Sequence, residues 1–468
     1  MEYFILLVFI IILLIIAIIT ISLVINNQNK SQIDILPVIP EPPISLNRQP
    51  MVVIPGLAGT NLDFTIDDNF NVPVCDNQEI NKLIEIQPSL WANILGFISQ
   101  KPCFLRMLKP VYDPIGKTLK NLDGLKTSVH GSYFGDPLSA ICIAYVLKSI
   151  LCYPETDYSR NFVDFFTKVG YQSGEDLFIT GYDFRLVPYE PYLSIYFSEL
   201  QKLIENTYIS TRQKINLVGH SLGTSLANIF LNKMDSDWKD KYIEKFISIS
   251  PAYDGAPKSL RTVISGFNFG FPDIIRITDR DIQDTERTLA GLMNEIPLLP
   301  EMYGQVNSQS EGNGDAVILI RDGVSRLYNV NNYSDGIIGL IRDVANESGE
   351  EDLNLTADIL SDIANERISY GYTDPGVRVY QMAVQPIATE SGPYAYDLSR
   401  NGFNADPLNN VTVPGDETVP LYGSLIPDVY GWKDITKKVF TPTDGLNHYT
   451  LFQDSEVAYQ YILTLVTS

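Results

Sequence analysis

The most informative segment of the sequence is Ile215-Asn-Leu-Val-Gly-His-Ser221-Leu-Gly-Thr-Ser-Leu-Ala-Asn-Ile-Phe-Leu231. It begins with Ile215 to Val218, a short apolar run typical of a buried strand. The pattern of Thr224 to Met234 predicts a helix. Between the two lies Gly219-His-Ser221-Leu-Gly223. A serine on such a tight strand-to-helix turn projects its hydroxyl above the sheet, and small flanking residues let the backbone turn without clashes.

Further strand and helix candidates lie on both sides of this turn. Met51 to Ile54, followed by Pro-Gly, and Phe246 to Ile249 have the same buried-strand composition. Later candidates are the strands Val377 to Val384 and Lys438 to Thr441, and a closing helix from Val457 to Val466. Strands alternating with helices indicate a parallel sheet with right-handed crossovers. The sequence therefore predicts an α/β protein with the α/β-hydrolase fold: a mostly parallel central sheet with helices on both faces.

Two regions interrupt the alternation and are predicted to be insertions on a domain spanning residues 51–468. Cys75 to Cys103 contains Leu90-Trp-Ala-Asn-Ile-Leu-Gly-Phe-Ile98, which is richer in large apolar side chains than an exposed loop should be. The second region, about 266–370, is long, irregular and acidic toward its end, and we interpret it as a cap insertion.

The N-terminus predicts a membrane segment. Residues 4–25 are almost entirely apolar, and about 20 such residues in a helix span a bilayer core. The absence of a basic start and of a small-residue cleavage site favours an uncleaved transmembrane signal anchor at 1–25, with a signal peptide as the alternative. Residues 26–50 contain five prolines and read as a linker.

Net charge argues against nucleic acid as a partner. The chain carries 34 Lys and Arg against 56 Asp and Glu, a formal charge of −22. Binding to a phosphate backbone relies on clustered basic side chains, which such an acidic surface lacks.

Two features favour a lumenal or extracellular catalytic domain. The sequence has four glycosylation acceptor tripeptides, which start at Asn332, Asn346, Asn354 and Asn410. Its four cysteines form an even set in two local clusters suited to two disulfides: Cys75, Cys103, Cys142 and Cys152. Four buried free thiols in a cytosolic enzyme are the alternative.

Three residues are candidates for nucleophilic catalysis. A serine hydroxyl needs a neighbouring base, normally histidine, which a carboxylate orients, and on this fold the chain order is Ser, acid, His. Of the three histidines, His130 precedes Ser221 and His220 lies beside it, which leaves His448 as the base. Asp416 follows a strand-like run at a turn, so we predict it as the acid, with Glu417 as the alternative.

The oxyanion of an acyl-transfer reaction needs two backbone N–H donors. The amide of Leu222 immediately follows the serine, and Leu57 lies in the Gly-rich loop after the first strand. We find no metal-ligand spacing and no strong phosphate-loop or dinucleotide motif, so cofactor-free acyl transfer is the prediction.

Several motifs in the same order resemble those of the lecithin:cholesterol acyltransferase family, which includes the lysosomal phospholipase with transacylase activity. The matching blocks are Val52-Val-Ile-Pro-Gly-Leu-Ala-Gly-Thr-Asn-Leu62, Gly181-Tyr-Asp183-Phe-Arg185-Leu, Gly219-His-Ser-Leu-Gly, Trp238-Lys-Asp-Lys-Tyr-Ile243, Gly415-Asp-Glu-Thr-Val-Pro and Asn447-His448. The N-terminal segment, the Cys142 and Cys152 pair and the acidic insertion depart from the family's best-known members.

The resemblance implies a lid at 75–103 closed by a Cys75–Cys103 disulfide, with an aromatic residue, Trp91, that meets a lipid surface. Leu90, Leu95 and Phe97 would share this role, with core packing as the alternative. We read Asp183 and Arg185 as a structural ion pair.

Together these observations predict a serine acyl-hydrolase or O-acyltransferase that acts on glycerophospholipids at a membrane or lipid-particle surface. The acyl acceptor would be water or a lipid alcohol such as a sterol, and no metal would be needed. The alternatives are a neutral-lipid lipase or esterase of the same fold, and an inactive, membrane-tethered lipid-binding protein. The predicted compartment is lumenal or extracellular, with the chain anchored or secreted.

Overall fold

The computed structural model describes most of the chain after residue 47. The described residues are 48–91, 93–113, 115–116, 118–142, 145–146, 151–152, 157–187, 190–265, 316–321, 324–329, 336, 338–348, 354, 357–358, 361, 372–390, 395–397, 407–408, 412–442 and 445–468. The predicted anchor at 1–25, nearly all of the linker and much of the predicted cap insertion lie outside them. Within the described ranges, no helix combines the length and apolar character needed to cross a membrane.

The central sheet of the described chain has six strands, and all of its strand pairs are parallel. From one edge to the other the strands are Ile435–Phe440, Val379–Val384, Ile243–Ile249, Ile215–His220, Met51–Ile54 and Leu177–Ile179. The parallel sheet predicted from sequence is confirmed, and the strand that precedes Ser221 lies inside it rather than at an edge.

The two faces of this sheet are both buried, which is why its strands are apolar without alternation. In the first strand, Val52 and Ile54 belong to one hydrophobic cluster, whereas Met51 and Val53 belong to the other. All four side chains are fully buried. Burying a side chain of this size stabilises the fold by about 1.5–3 kcal/mol, so both faces contribute.

Helices cover each face. Tyr192–Thr211 and Leu222–Lys233 pack against the face that carries Val52, and Arg160–Lys168 and Glu456–Val466 pack against the other. Within the described ranges, the other helices are Asn77–Ile86, Ile94–Ser99, Lys101–Leu108, Leu138–Ile141, Ser236–Tyr242, Pro257–Ser265, Gly339–Ser348, Leu421–Ser424, Ile426–Val429 and Thr450–Gln453.

Smaller sheets surround the core. One is an antiparallel sheet formed by Leu62–Ile66, Ser89–Trp91 and Leu125–Val129. The other strands are Val111–Asp113 with Thr118–Lys120, Tyr145–Val146 with Leu151–Cys152, Ile387–Glu390 with Thr412–Gly415, and Ala316–Arg321 with Val324–Asn329 and Ala395–Asp397.

The segment between Cys75 and Cys103 is folded onto the core. A disulfide joins these two residues, with an S–S distance of 2.01 Å. Cys142 is also disulfide-bonded, while the side chain of Cys152 lies outside the described residues. Arg185 is fully buried, pairs with Asp183 at 2.5 Å and donates to the Met107 carbonyl at 3.0 Å. This buried ion pair therefore ties the helix Lys101–Leu108 to the core.

The last helix is held at its C-terminal end by two distant parts of the chain. The amide of Gln49 donates to the Val466 carbonyl at 3.0 Å, and the buried Lys245 ammonium donates to the Leu465 carbonyl at 2.5 Å. These bonds satisfy carbonyls that a helix end leaves unpaired, and a positive charge is favourable there.

Candidate active site

Ser221 occupies a strained position between the strand Ile215–His220 and the helix Leu222–Lys233. Its φ of 53° and ψ of −123° are unfavourable for a residue with a side chain. Two backbone bonds hold it there: the Ser221 amide donates to the Ile249 carbonyl at 3.0 Å, and the Thr224 amide donates to the Ser221 carbonyl at 2.9 Å. A Cβ at Gly223 would lie 2.2 Å from the Ile54 carbonyl oxygen, so this position requires glycine.

The structure brings Ser221, His448 and Asp416 into one hydrogen-bonded row. His448 Nε2 lies 2.8 Å from Ser221 Oγ, and its Nδ1 lies 2.8 Å from Asp416 Oδ2. All three side chains are buried. Because a carboxylate can only accept, Nδ1 carries the proton and Nε2 is left to accept from the serine hydroxyl.

The Asp416 carboxylate is held in place by its own turn. Its second oxygen, Oδ1, accepts from the amides of Thr418 at 3.1 Å and Val419 at 2.7 Å. The His448 amide also donates to the Asp416 carbonyl at 2.9 Å. Glu417 is exposed and instead accepts from the Asn447 side chain at 2.8 Å. Of the two carboxylates considered from sequence, Asp416 is the one that contacts the imidazole.

The loop carrying Leu57 lies against Ser221. A Cβ placed on Gly56 would be 3.0 Å from the Ser221 Cβ, so the backbone of this loop closely approaches the serine. Ala58 has a φ of 53°, and the Gly59 amide donates back to the Gly56 carbonyl at 3.1 Å. Leu222, the second predicted donor, is the first residue of the helix that follows the serine, and the N-terminus of a helix carries free amides and the positive end of the helix dipole.

The two remaining histidines differ in their surroundings. His130 Nδ1 contacts Asp63 Oδ2 at 2.8 Å in the small antiparallel sheet, and this hydrogen bond raises the pKa of His130. His220 is buried behind Ser221, where loss of hydration lowers its pKa to about 3. Its ring contacts the Tyr158 hydroxyl and the His448 carbonyl. The sequence does not predict the contacts of His220 with Tyr158 and with the His448 carbonyl, because no motif includes Tyr158.

The apolar side chains predicted to contact lipid on the 75–103 segment are mostly buried in this structure, as in the core-packing alternative. Leu90 is fully buried, Trp91 and Phe97 are each 8% exposed, and Leu95 is half-buried. The Trp91 indole N–H donates to the Ala58 carbonyl at 3.1 Å, and its ring meets Phe184 edge-on at 5.4 Å. These side chains therefore form part of the interior: Leu90 and Trp91 lie on the strand Ser89–Trp91, and Phe97 lies on the helix Ile94–Ser99.

The parallel sheet, the serine between strand and helix, and the neighbouring imidazole and carboxylate define a protein of the α/β-hydrolase class. The chain belongs to the lecithin:cholesterol acyltransferase family, whose model matches residues 87–329, just over half of the 468 residues. This confirms the resemblance seen in the motifs. Asp416 and His448 lie beyond the matched segment.

Individual relatives agree with this family. Lysosomal phospholipase A and acyltransferase from Bos taurus is 31% identical over 231 residues, which cover 49% of this chain and 53% of that protein. Phosphatidylcholine-sterol acyltransferase from Gallus gallus is 29% identical over 272 residues, which cover 58% and 62%. The chain thus spans about half to three-fifths of the length of these relatives.

Among solved structures, the Tle4–Tli4 complex contains a similar chain. Its TM-score is 0.45 at 14% identity, and the match covers 90% of this chain and 98% of that one.

Proposed function

We propose that the protein is a serine acyl-hydrolase or O-acyltransferase that removes fatty acyl groups from glycerophospholipids. The main support for this proposal is the geometry of three side chains. His448 Nε2 lies 2.8 Å from Ser221 Oγ, and His448 Nδ1 lies 2.8 Å from the Asp416 carboxylate. The named activities of the two relatives supply the substrate class.

In the first step, Ser221 Oγ attacks the carbonyl carbon of the ester while His448 Nε2 takes the hydroxyl proton. Asp416 stabilises the resulting imidazolium. The amides of Leu57 and Leu222 donate to the oxyanion of the tetrahedral intermediate. Collapse of the intermediate breaks the ester bond, and His448 returns the proton to the departing lysophospholipid oxygen. The fatty acyl group is then esterified to Ser221.

In the second step, His448 removes a proton from the acceptor, whose oxygen attacks the acyl carbonyl carbon. The bond from this carbon to Ser221 Oγ then breaks, and His448 returns the proton to Oγ. Water gives a free fatty acid, so the enzyme acts as a phospholipase A. A sterol or another lipid alcohol gives a new ester, so the enzyme acts as an O-acyltransferase. Both outcomes use the same residues, so the acceptor depends on what can reach the acyl-enzyme.

The catalytic domain is proposed to lie in a lumenal or extracellular compartment. The Cys75–Cys103 disulfide supports this, since disulfides persist in oxidising compartments. One relative is named as lysosomal. Of the predicted glycosylation sites, Asn346 is exposed, whereas Asn332 and Asn410 lie outside the described residues.

The direct test uses phosphatidylcholine vesicles labelled in the acyl chain, with and without sterol, assayed from pH 4.5 to 7.5. Vesicles without sterol are expected to release labelled fatty acid. Vesicles with sterol are expected to give labelled sterol ester if a sterol is the acceptor. A triacylglycerol emulsion and a short soluble ester serve as comparison substrates. Acyl release from triacylglycerol but none from phosphatidylcholine would point to a neutral-lipid lipase and contradict the proposed substrate class.

We further propose that the Leu90 to Phe97 segment contacts the lipid surface after moving away from Ala58. Trp91→Ser is then expected to slow vesicle hydrolysis about tenfold more than hydrolysis of a soluble ester, since roughly 1.4 kcal/mol of interfacial binding is lost. Trp91→Phe is the matched control, because it keeps an apolar aromatic ring while it removes the indole N–H and part of the ring volume. Equal losses on both substrates in Trp91→Ser would reject a lipid-contacting role.

A further inference from the structure

Tyr158 and His220 form a buried row of hydrogen bonds that joins two separate parts of the candidate active site. The Tyr158 hydroxyl lies 2.5 Å from His220 Nδ1, and the Gly56 amide donates to the same hydroxyl at 2.7 Å. At the other end, His220 Nε2 lies 3.1 Å from the carbonyl oxygen of His448. The row therefore runs from the loop that carries Leu57 to the backbone of the proposed base.

The direction of every bond in this row follows from chemistry. The His448 carbonyl can only accept, so His220 Nε2 carries the proton and Nδ1 is the acceptor. The Tyr158 O–H therefore donates to Nδ1, and its oxygen remains free to accept from the Gly56 amide. Burial keeps both groups in the required states, since it lowers the pKa of His220 to about 3 and raises the pKa of Tyr158.

Close packing fixes the two rings. A Cβ on Gly59 would lie 2.7 Å from Tyr158 Cζ. Only glycine at position 59 therefore allows the loop to approach the phenol ring this closely. The His220 ring stacks on Phe452 at 4.8 Å, and the Tyr158 ring lies 5.2 Å from the same phenylalanine. Neither ring can therefore shift without displacing its neighbours.

We propose that Tyr158 and His220 are positioning residues that set the placement of the Gly56–Leu57 loop relative to the His448 backbone, and thereby align oxyanion donor and base. This inference rests on the proposed function. Oxyanion stabilisation depends on donors held about 3 Å from where the charge develops, and a displacement of about 1 Å can lower the rate 100-fold.

A neutral His220 suits this position better than a charged side chain. Its ring centroid lies 5.5 Å from that of His448, which becomes positively charged during acyl transfer. A second positive charge at this distance would oppose that step. The row thus supplies rigidity without adding charge next to the base.

The experiment compares Tyr158→Phe with wild type on a soluble nitrophenyl ester and with a fluorophosphonate probe that labels an activated serine. Tyr158→Phe keeps the ring and removes both hydrogen bonds. We expect kcat to fall about 10- to 100-fold with KM within about threefold, and labelling of Ser221 to slow by a similar factor. His220→Gln retains an N–H donor for the His448 carbonyl and should lose less activity than His220→Leu.

Tyr171→Phe is the matched control, since this buried hydroxyl donates at 2.9 Å to the Gln49 carbonyl and not to the site. It should leave kcat unchanged. The inference is overturned if folded Tyr158→Phe keeps the wild-type kcat, if Tyr171→Phe loses as much, or if His220→Gln and His220→Leu lose equally. Failure of the wild-type protein to react with the probe at Ser221 would instead reject the proposed function.

Discussion

Replacing Ser221 with alanine is expected to lower the rate of acyl release from phosphatidylcholine vesicles by at least about 10⁴-fold. The substitution removes the only atom that can form the acyl-enzyme, while the His448 and Asp416 pair stays in place. The measurement is initial release of labelled fatty acid, together with thermal unfolding. The unfolding midpoint should change little, because the main-chain bonds of Ser221 to Ile249 and Thr224 do not involve its hydroxyl.

Ser225→Ala is the matched control for this substitution. Ser225 lies one turn further along the same helix, is also buried, and donates its hydroxyl to the Ala252 carbonyl at 2.9 Å. It should retain activity within a few-fold of wild type. If Ser221→Ala kept a tenth or more of the wild-type rate, Ser221 would not be the nucleophile.

Asp416→Asn is expected to lower kcat by about 10⁴-fold, the size of effect seen when a triad histidine is held in the wrong tautomer. The amides of Thr418 and Val419 both donate to Oδ1, so the asparagine oxygen will occupy that position. The side-chain NH₂ must then face His448 Nδ1 and donate to it. His448 would carry its proton on Nε2 and could no longer accept the serine proton. Steady-state kinetics on a soluble ester measures this loss.

Glu417→Gln provides the comparison for Asp416→Asn, because it makes the same chemical change at the next residue. Its side chain is exposed and contacts Asn447 rather than the imidazole. Activity should stay within about twofold of wild type. The reverse result, with the loss in Glu417→Gln and normal activity in Asp416→Asn, would assign the acid to Glu417.

The parts of the fold and site that could be predicted are those encoded by local sequence. Apolar runs such as Ile215 to Val218 indicate strands buried on both faces, and the glycines around Ser221 mark a turn that few other residues can make. His448 can be identified as the base because the sequence has only three histidines. The chain order Ser, acid, His excludes the other two, since both precede Ser221. The strand-to-turn setting of Asp416 favours it over Glu417 as the acid, and Asp416 contacts His448 in the structure.

Contacts between distant residues could not be predicted in this way. The approach of Tyr158 to Gly56 depends on how the intervening elements pack, and a buried tyrosine has no local signature. The composition of the Leu90 to Phe97 segment is equally compatible with an exposed or a buried surface. The structure places this segment in the interior through contacts with distant residues, such as the bond from the Trp91 indole N–H to the Ala58 carbonyl.

The attachment of the last helix has a consequence for biosynthesis. His448 precedes this helix by only a few residues, and the helix end bonds to Gln49 and Lys245, which are synthesised far earlier. A nascent chain therefore exposes Ser221 and its strand before the edge strand Ile435–Phe440 and His448 have left the ribosome. Under the proposed function, Ser221 gains its base only when the segment carrying His448 has packed against the core.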